Sequence, residues 1–291
     1  MTPIEGVRIR FDHVSIAVES IDRGVEFFQR YFSTYPRHEK QLSEQASGGF
    51  VWQDFFLGRG VVEFIQEIPG NDGFVSRFIQ RHGEGMHHLS FELDHLDPVV
   101  AALRADGVRI VDEYTLPEGH RTAFISPRDG FGALIQFWQP LDYDHPIPPP
   151  ADDKTVRFDH VAIAVREIER AMDFFGHYFP AQVINRPMPS SSQGNFILSH
   201  LDIAGFKLEF LQSPGPDTED DFVRRFIERH GEGLHHFTIG VRDFDALLDK
   251  LRHDGVRIVG RETNWRGERQ FFISPQSAFG TLIQVWEGMR Q

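Results

Sequence analysis

The chain has 291 residues, 40% of them hydrophobic, no cysteine and a formal charge of −13. That length accommodates two domains of ordinary size, and the acidic balance argues against a nucleic-acid surface, whose affinity rests on clustered lysine and arginine. The absence of thiols excludes disulfides and thiolate metal sites, leaving imidazole, carboxylate and amide as ligands; no apolar run spans a bilayer and no signal pattern opens the chain, so a cytoplasmic location away from membranes is expected.

Residues 9–18 alternate apolar and polar with β-branched positions, which predicts a half-buried strand. Val25, Phe28 and Phe32 follow at helical spacing with Asp22 in the opening turn, so 21–32 reads as a helix. Strand candidates lie around 38–42, 50–57 and 61–68, the last two flanking Gly58-Arg59-Gly60, a hairpin signal. A short helix over 71–81 leads to the turn Gly83-Glu84-Gly85, and the first unit is β-α-β-β-β. Residues 88–93 open a second unit of the same grammar, with a helix over 97–106, Gly107 at its C-cap, and strands near 109–112, 121–126 and 133–138. Residues 141–156, containing Pro146-Ile147-Pro148-Pro149-Pro150, read as a semi-rigid linker between a domain of 1–140 and one of 157–291.

The second domain repeats the first. Phe11-Asp12-His13 returns as Phe158-Asp159-His160, Arg81-His82-Gly83-Glu84-Gly85 as Arg229-His230-Gly231-Glu232-Gly233, and Phe124-Ile125-Ser126-Pro127 as Phe272-Ile273-Ser274-Pro275. A fainter repeat divides each half again. His13, His88, His160 and His236 each open a unit, while Glu63, Gln136, Glu209 and Gln284 lie on the strands that close them. The expected architecture is therefore α+β, with four βαβββ modules paired into two domains whose curved mixed sheets surround a cavity.

If paired modules are related by a pseudo-twofold axis, His13 faces His88 and Glu63 faces Gln136 across the first cavity. His160, Glu209, His236 and Gln284 do so in the second. Two imidazoles, a carboxylate and an amide oxygen suit a divalent metal with open positions for water or substrate. A lone histidine at a strand start is more often structural, and Glu63 alone could face solvent; the matched set in both halves favours the metal. Alignment of the quarter repeats selects His88 and His236 as ligands and leaves His87 and His235 on the opposite strand face. Asp54 and its counterpart His200 interrupt apolar strands and could serve as acid or base, and Arg121 and Arg269 could hold a substrate carboxylate or phosphate.

Asp12-His13-Val14, Gly83-Glu84-Gly85-Met86-His87-His88 and Gly132-Ala133-Leu134-Ile135-Gln136 resemble the vicinal oxygen chelate superfamily, methylmalonyl-CoA epimerase most closely, once per half. The superfamily also includes lactoylglutathione lyase, extradiol dioxygenases and 4-hydroxyphenylpyruvate dioxygenase. The resemblance implies paired βαβββ modules and metal positions at His13, Glu63, His88 and Gln136, and at His160, Glu209, His236 and Gln284. The chain departs from the pattern by carrying glutamine at the last position, and Val51-Trp52-Gln53-Asp54 offers no match to the epimerase catalytic glutamate. Glu63 and Glu209 then take the role of metal-bound base. The implied activity is a divalent-metal-dependent isomerase, epimerase or lyase acting through an enolate of a small anionic acid, keto acid or acyl thioester. One or two ions of manganese, iron, cobalt, nickel or zinc are expected per chain. A non-haem iron dioxygenase is the runner-up, and a non-catalytic small-molecule binder the third reading. Tandem fusion replaces a contact that single-domain relatives make between chains, with a homodimer as a further expected assembly.

Overall fold

A computed structural model describes residues 6–43, 49–58, 60–145, 155–190, 195–216, 218, 220–263 and 267–288. The first half runs β1 (Ile9–Ala17), α1 (Ile21–Phe32), β2 (Gln41–Ser43), β3 (Phe50–Leu57), β4 (Gly60–Glu67), α2 (Phe74–His82), β5 (Gly85–Leu93), α3 (Leu96–Ala105), β6 (Ile110–Thr115), β7 (Arg121–Ile125) and β8 (Leu134–Gln139). The second repeats it as β9 (Val156–Ala164), α4 (Ile168–Tyr178), β10 (Ala181–Pro189), β11 (Ile197–Ile203), β12 (Phe206–Gln212), α5 (Phe222–His230), β13 (Gly233–Val241), α6 (Phe244–His253), β14 (Ile258–Thr263), β15 (Arg269–Ile273) and β16 (Leu282–Glu287).

Each half forms one eight-stranded mixed sheet, ordered β2-β3-β4-β1-β5-β8-β7-β6 and β10-β11-β12-β9-β13-β16-β15-β14. The order reads the same from either edge once modules are exchanged, which is the signature of the pseudo-twofold relation. Its consequence is that the opening strands lie side by side at the centre, flanked by the closing strands. Within a module the closing strand runs parallel to the opening one, as in β1 with β4 and β5 with β8, and the remaining strands form an antiparallel meander.

Alternation along the strands separates two faces. Phe55 and Phe64 meet Phe28 of α1 at ring separations of 4.8 and 5.6 Å, and all three rings are 1% exposed or less. Burying each such ring contributes roughly 2–3 kcal/mol. The opposite face carries His13, Asp54 and Glu63, and continues through Ala17 and Ile65 into a cluster with Val75, Phe74 and Phe78 of α2. In the second half Ala162, Ala164 and Leu211 meet Val223, Ile227 and Phe226 of α5 in the same way.

The same parity explains the pairing of polar residues three apart on closing strands. Gln66, Gln139 and Gln212 turn to the helix face, where each side-chain oxygen accepts the first helical N–H, from Ile21 (2.9 Å), Leu96 (2.8 Å) and Ile168 (2.7 Å). These donors have no intrahelical partner.

Compact packing groups the modules across the halves. One unit comprises 13–87, 147–159 and 236–291; the other comprises 1–12, 88–146 and 160–235. In the first, Phe27 and Phe64 pack on Phe279. In the second, Phe91 and Phe137 pack on Phe179, and Phe11 stacks on Phe206 at 3.7 Å.

The strand expected over 38–42 is shorter and later, at Gln41–Ser43, because Pro36 makes a single bridge to Phe55 and the Arg37 and His38 side chains turn to Asp54. The proline run of the expected linker, Arg59 of the hairpin turn, and residues 217 and 219 of the loop before α5 lie outside the described residues. Among the described residues, no helix is long and apolar enough to cross a membrane.

Candidate metal centres

Because the four central strands of each sheet are two openers flanked by two closers, Glu63, His13, His88 and Gln136 occur on consecutive strands of the first sheet. Candidate ligand atoms of His13, Glu63 and His88 lie within 4.8 Å of one another, and those of His160, Glu209 and His236 do the same. His13 Nε2 is 3.4 Å from Glu63 Oε2, and His160 Nε2 is 3.5 Å from Glu209 Oε2. Glu63, His88, His160, Glu209 and His236 are all buried. Burying two imidazoles and a carboxylate together is costly unless the charges are compensated, by mutual pairing or by a cation.

The electrostatics of Glu209 follow from its neighbours. Burial alone would push its carboxyl up, but the imidazoles of His160 and His200 outweigh that and hold it well below the usual carboxylate range. His200 Nε2 lies 3.0 Å from Glu209 Oε1, and its Nδ1 lies 2.6 Å from Asn185 Oδ1. In the first half Asp54 stands directly across the strand pair from Glu63 and is engaged by Arg37 (2.8 Å) and His38 (2.9 Å). Asp54 and His200 thus hold the same register opposite Glu63 and Glu209, but the side chain of His200 meets its glutamate whereas that of Asp54 is engaged by Arg37 and His38.

The amides differ as well. Gln136 Nε2 donates to Thr122 Oγ1 at 3.1 Å, and its Oε1 is buried with no hydrogen-bond partner among the described residues. Gln284 Oε1 accepts from Thr238 Oγ1 at 2.5 Å, and its Nε2 donates to Gln270 Oε1 at 2.8 Å.

The first histidine of each doublet is directed elsewhere. His87 packs between Phe74 and Phe78, and His235 between Phe222 and Phe226. Desolvation lowers both imidazoles to about 4, so they are neutral at pH 7. Arg121 and Arg269 share the strand parity of Ala123 and Phe271 rather than of Phe124 and Phe272, the residues opposite Gln136 and Gln284. That parity brings Arg121 to Asp97 of α3 (2.6 Å) and Arg269 to Asp245 of α6 (2.7 Å) and Glu287 (2.8 Å), outside both His/Glu groups.

Sequence reasoning did not single out Thr122, Thr238, Gln270 or Asn185, which orient the polar groups of the centres. A signal was present for Thr122 and Gln270: each is a polar residue two before a phenylalanine that pairs with the site glutamine.

Comparison with known proteins completes the picture. The Glyoxalase/Bleomycin resistance protein/Dioxygenase superfamily matches residues 12–125 and again 159–272. Mitochondrial methylmalonyl-CoA epimerase of Bos taurus is 26% identical over 132 residues, 44% of this chain and 73% of that protein. Lactoylglutathione lyase of Schizosaccharomyces pombe is 21% identical over 297 residues, 94% of this chain and 96% of that protein. A solved variant of 4-hydroxymandelate synthase from Streptomyces coelicolor shares the fold over 100% of this chain and 95% of that chain, with a TM-score of 0.62 at 15% identity. Two tandem matches on two duplicated sheets show that the chain belongs to the Glyoxalase/Bleomycin resistance protein/Dioxygenase superfamily, also called the vicinal oxygen chelate superfamily.

Proposed function

We propose that the chain is a divalent-metal-dependent isomerase, epimerase or lyase that labilises the hydrogen α to a carbonyl in a small anionic carboxylic acid, keto acid or acyl thioester. The observation that carries this reading is the grouping of two imidazoles and one carboxylate, repeated in both halves. This donor set suits manganese, iron, cobalt, nickel or zinc, and the buried, unpartnered Oε1 of Gln136 fits a fourth donor in the first half. When bound, such an ion supplies Lewis acidity, polarising the carbonyl and stabilising the charge that develops as the hydrogen leaves.

The protein's own groups then divide the work. His13 and His88, and His160 and His236, would fix the ion's place. Glu63 and Glu209 would take the proton at a carboxylate oxygen, since among the described residues no other carboxylate belongs to either group. His200, at 3.0 Å from Glu209, would steady that carboxylate, whereas Asp54 is spent on Arg37 and His38. The apolar clusters beneath α2 and α5 would limit water at the reacting carbon.

The test is exchange of the α-hydrogen in deuterium oxide, followed by NMR, using methylmalonyl-CoA first and then a panel of keto acids. Exchange is expected with metal-loaded protein, and it should vanish on chelation and in a Glu63→Gln, Glu209→Gln double variant. Absence of exchange across the panel, with stoichiometric metal bound, counts decisively against the reading. The same His-His-carboxylate set also suits ferrous iron in a dioxygenase; oxygen uptake on adding ferrous iron and a keto acid would establish that second reading instead.

A further inference from the structure

We propose that the two centres are not equivalent: the first is a four-donor centre completed by Gln136, and the second a three-donor centre from which Gln284 is withdrawn. This rests on reading both groups as metal centres and deepens that reading.

Gln136 and Gln284 share one register, each beside a hydroxyl residue on the parallel opening strand, Ser90 in the first half and Thr238 in the second. Their surroundings differ at two positions. In the first half Thr122 Oγ1 donates to the Phe137 carbonyl (3.0 Å) and accepts from Gln136 Nε2 (3.1 Å). Ser90 Oγ turns away and donates to Asp12 Oδ2 at 3.3 Å. The donor end of the Gln136 amide is thereby anchored, and its buried oxygen is left for an electrophile such as a cation.

In the second half the place of Thr122 is taken by Gln270. Thr238 donates to Gln284, Gln284 donates to Gln270 (2.8 Å), and Gln270 Nε2 donates to Glu262 Oε2 (3.3 Å). Both ends of the Gln284 amide are used, and offering its oxygen to an ion would break the bond from Thr238. The carboxylate is also restrained differently: Glu209 Oε1 faces His200, which in turn meets Asn185, while Oε2 faces His160. Outer contacts of this kind alter metal affinity by about 10–100-fold.

The experiment is calorimetric titration of the metal-free full chain with Mn²⁺, together with the visible spectrum of the Co²⁺-loaded protein. Two classes of one equivalent each are expected, separated by roughly tenfold or more in affinity. Gln136→Ala should weaken the tight class by about 10–100-fold and shift the Co²⁺ bands. Gln284→Ala should leave the weak class and the spectrum unchanged, and Thr238→Ala, by releasing Gln284, should tighten the weak class. Circular dichroism checks that each variant folds. Two identical classes in the unmodified chain, or a Gln284→Ala variant that weakens its class as much as Gln136→Ala does, would overturn the inference. In that case loss of one equivalent in each of Glu63→Ala and Glu209→Ala leaves the metal reading standing. A chain that binds neither ion overturns the metal reading itself, and the inference with it.

Discussion

Asp106 and Asp254 are the C-caps of α3 and α6, where the helix dipole disfavours an acid. Each is met by a phenol: Tyr178 OH donates to Asp106 Oδ2 at 2.9 Å, and Tyr31 OH to Asp254 Oδ2 at 3.0 Å. Asp254 gains Arg30 as well, at 2.8 Å. Burial, followed by the hydrogen bond to Asp106, pushes the Tyr178 hydroxyl up to about 12, and Tyr31 is raised for the same reasons. A group whose folded pKa lies above its unfolded value stabilises the fold fully below the unfolded value, about 10 for tyrosine, and loses that contribution as pH rises through the folded one. The stability supplied by Tyr178 should therefore persist to pH ~10 and fall away between ~10 and ~12. Absorbance of phenolate against pH should show Tyr178 ionising late, in step with unfolding, and Tyr178→Phe should remove that late component. If the variant titrates like the unmodified chain, Tyr178 is not the group held back.

At the level of elements, the Gly-Glu-Gly turns act as joints. Gly83 and Gly231 cap α2 and α5 with φ of 78° and 80°, and β5 and β13 begin two residues on. The carbonyls of Glu84 and Glu232 in these turns meet Gly280 and Gly132, each at positive φ, so closely that an added Cβ would lie 1.6 and 1.5 Å from the oxygen. Gly280→Ala combines a left-handed penalty of about 1–2 kcal/mol with a backbone clash that no side-chain rotation relieves. Urea unfolding should show a loss exceeding ~2 kcal/mol. Gly107→Ala is the control: φ is +78° but nothing lies within 4 Å, so only the conformational part should appear. Equal losses in the two would remove the close approach from the explanation. The glycine turns, the module order and the matched His and Glu positions were legible in the sequence because each recurs fourfold or twofold, and repetition exposes position without coordinates. Parity within a strand was legible only in part. It separated His88 from His87, but it was not applied to Arg121, whose parity is that of Ala123, nor to Gln66 and Gln139, which cap helices while Glu63 and Gln136 take the opposite strand face. The amide chain from Thr238 to Glu262 was not legible at all, because it depends on which strands become neighbours.

Over the whole molecule, sheets follow the halves while packing does not. Phe91 and Phe137 of the first half and Phe179 of the second, all 0% exposed, share one core, and Phe27 and Phe64 of the first half meet Phe279 of the second in the other. Separating the halves strips these rings of their cross-half partners while leaving same-half contacts such as Phe64 with Phe28, so it forfeits part of the roughly 2–3 kcal/mol that full burial of a phenyl contributes. A fragment of residues 1–145 should accordingly not behave as a stable monomer: sedimentation should show it self-associating through the exposed faces, since the homologous partner it lacks resembles itself. Coexpression with residues 155–291 should restore a one-to-one complex with the far-ultraviolet spectrum and metal stoichiometry of the intact chain. The predicted division into domains of 1–140 and 157–291 is what this measures. If the first fragment alone sediments as a monomer and unfolds cooperatively, each half encloses a sufficient core by itself, and the rings shared between halves contribute little to holding the fold.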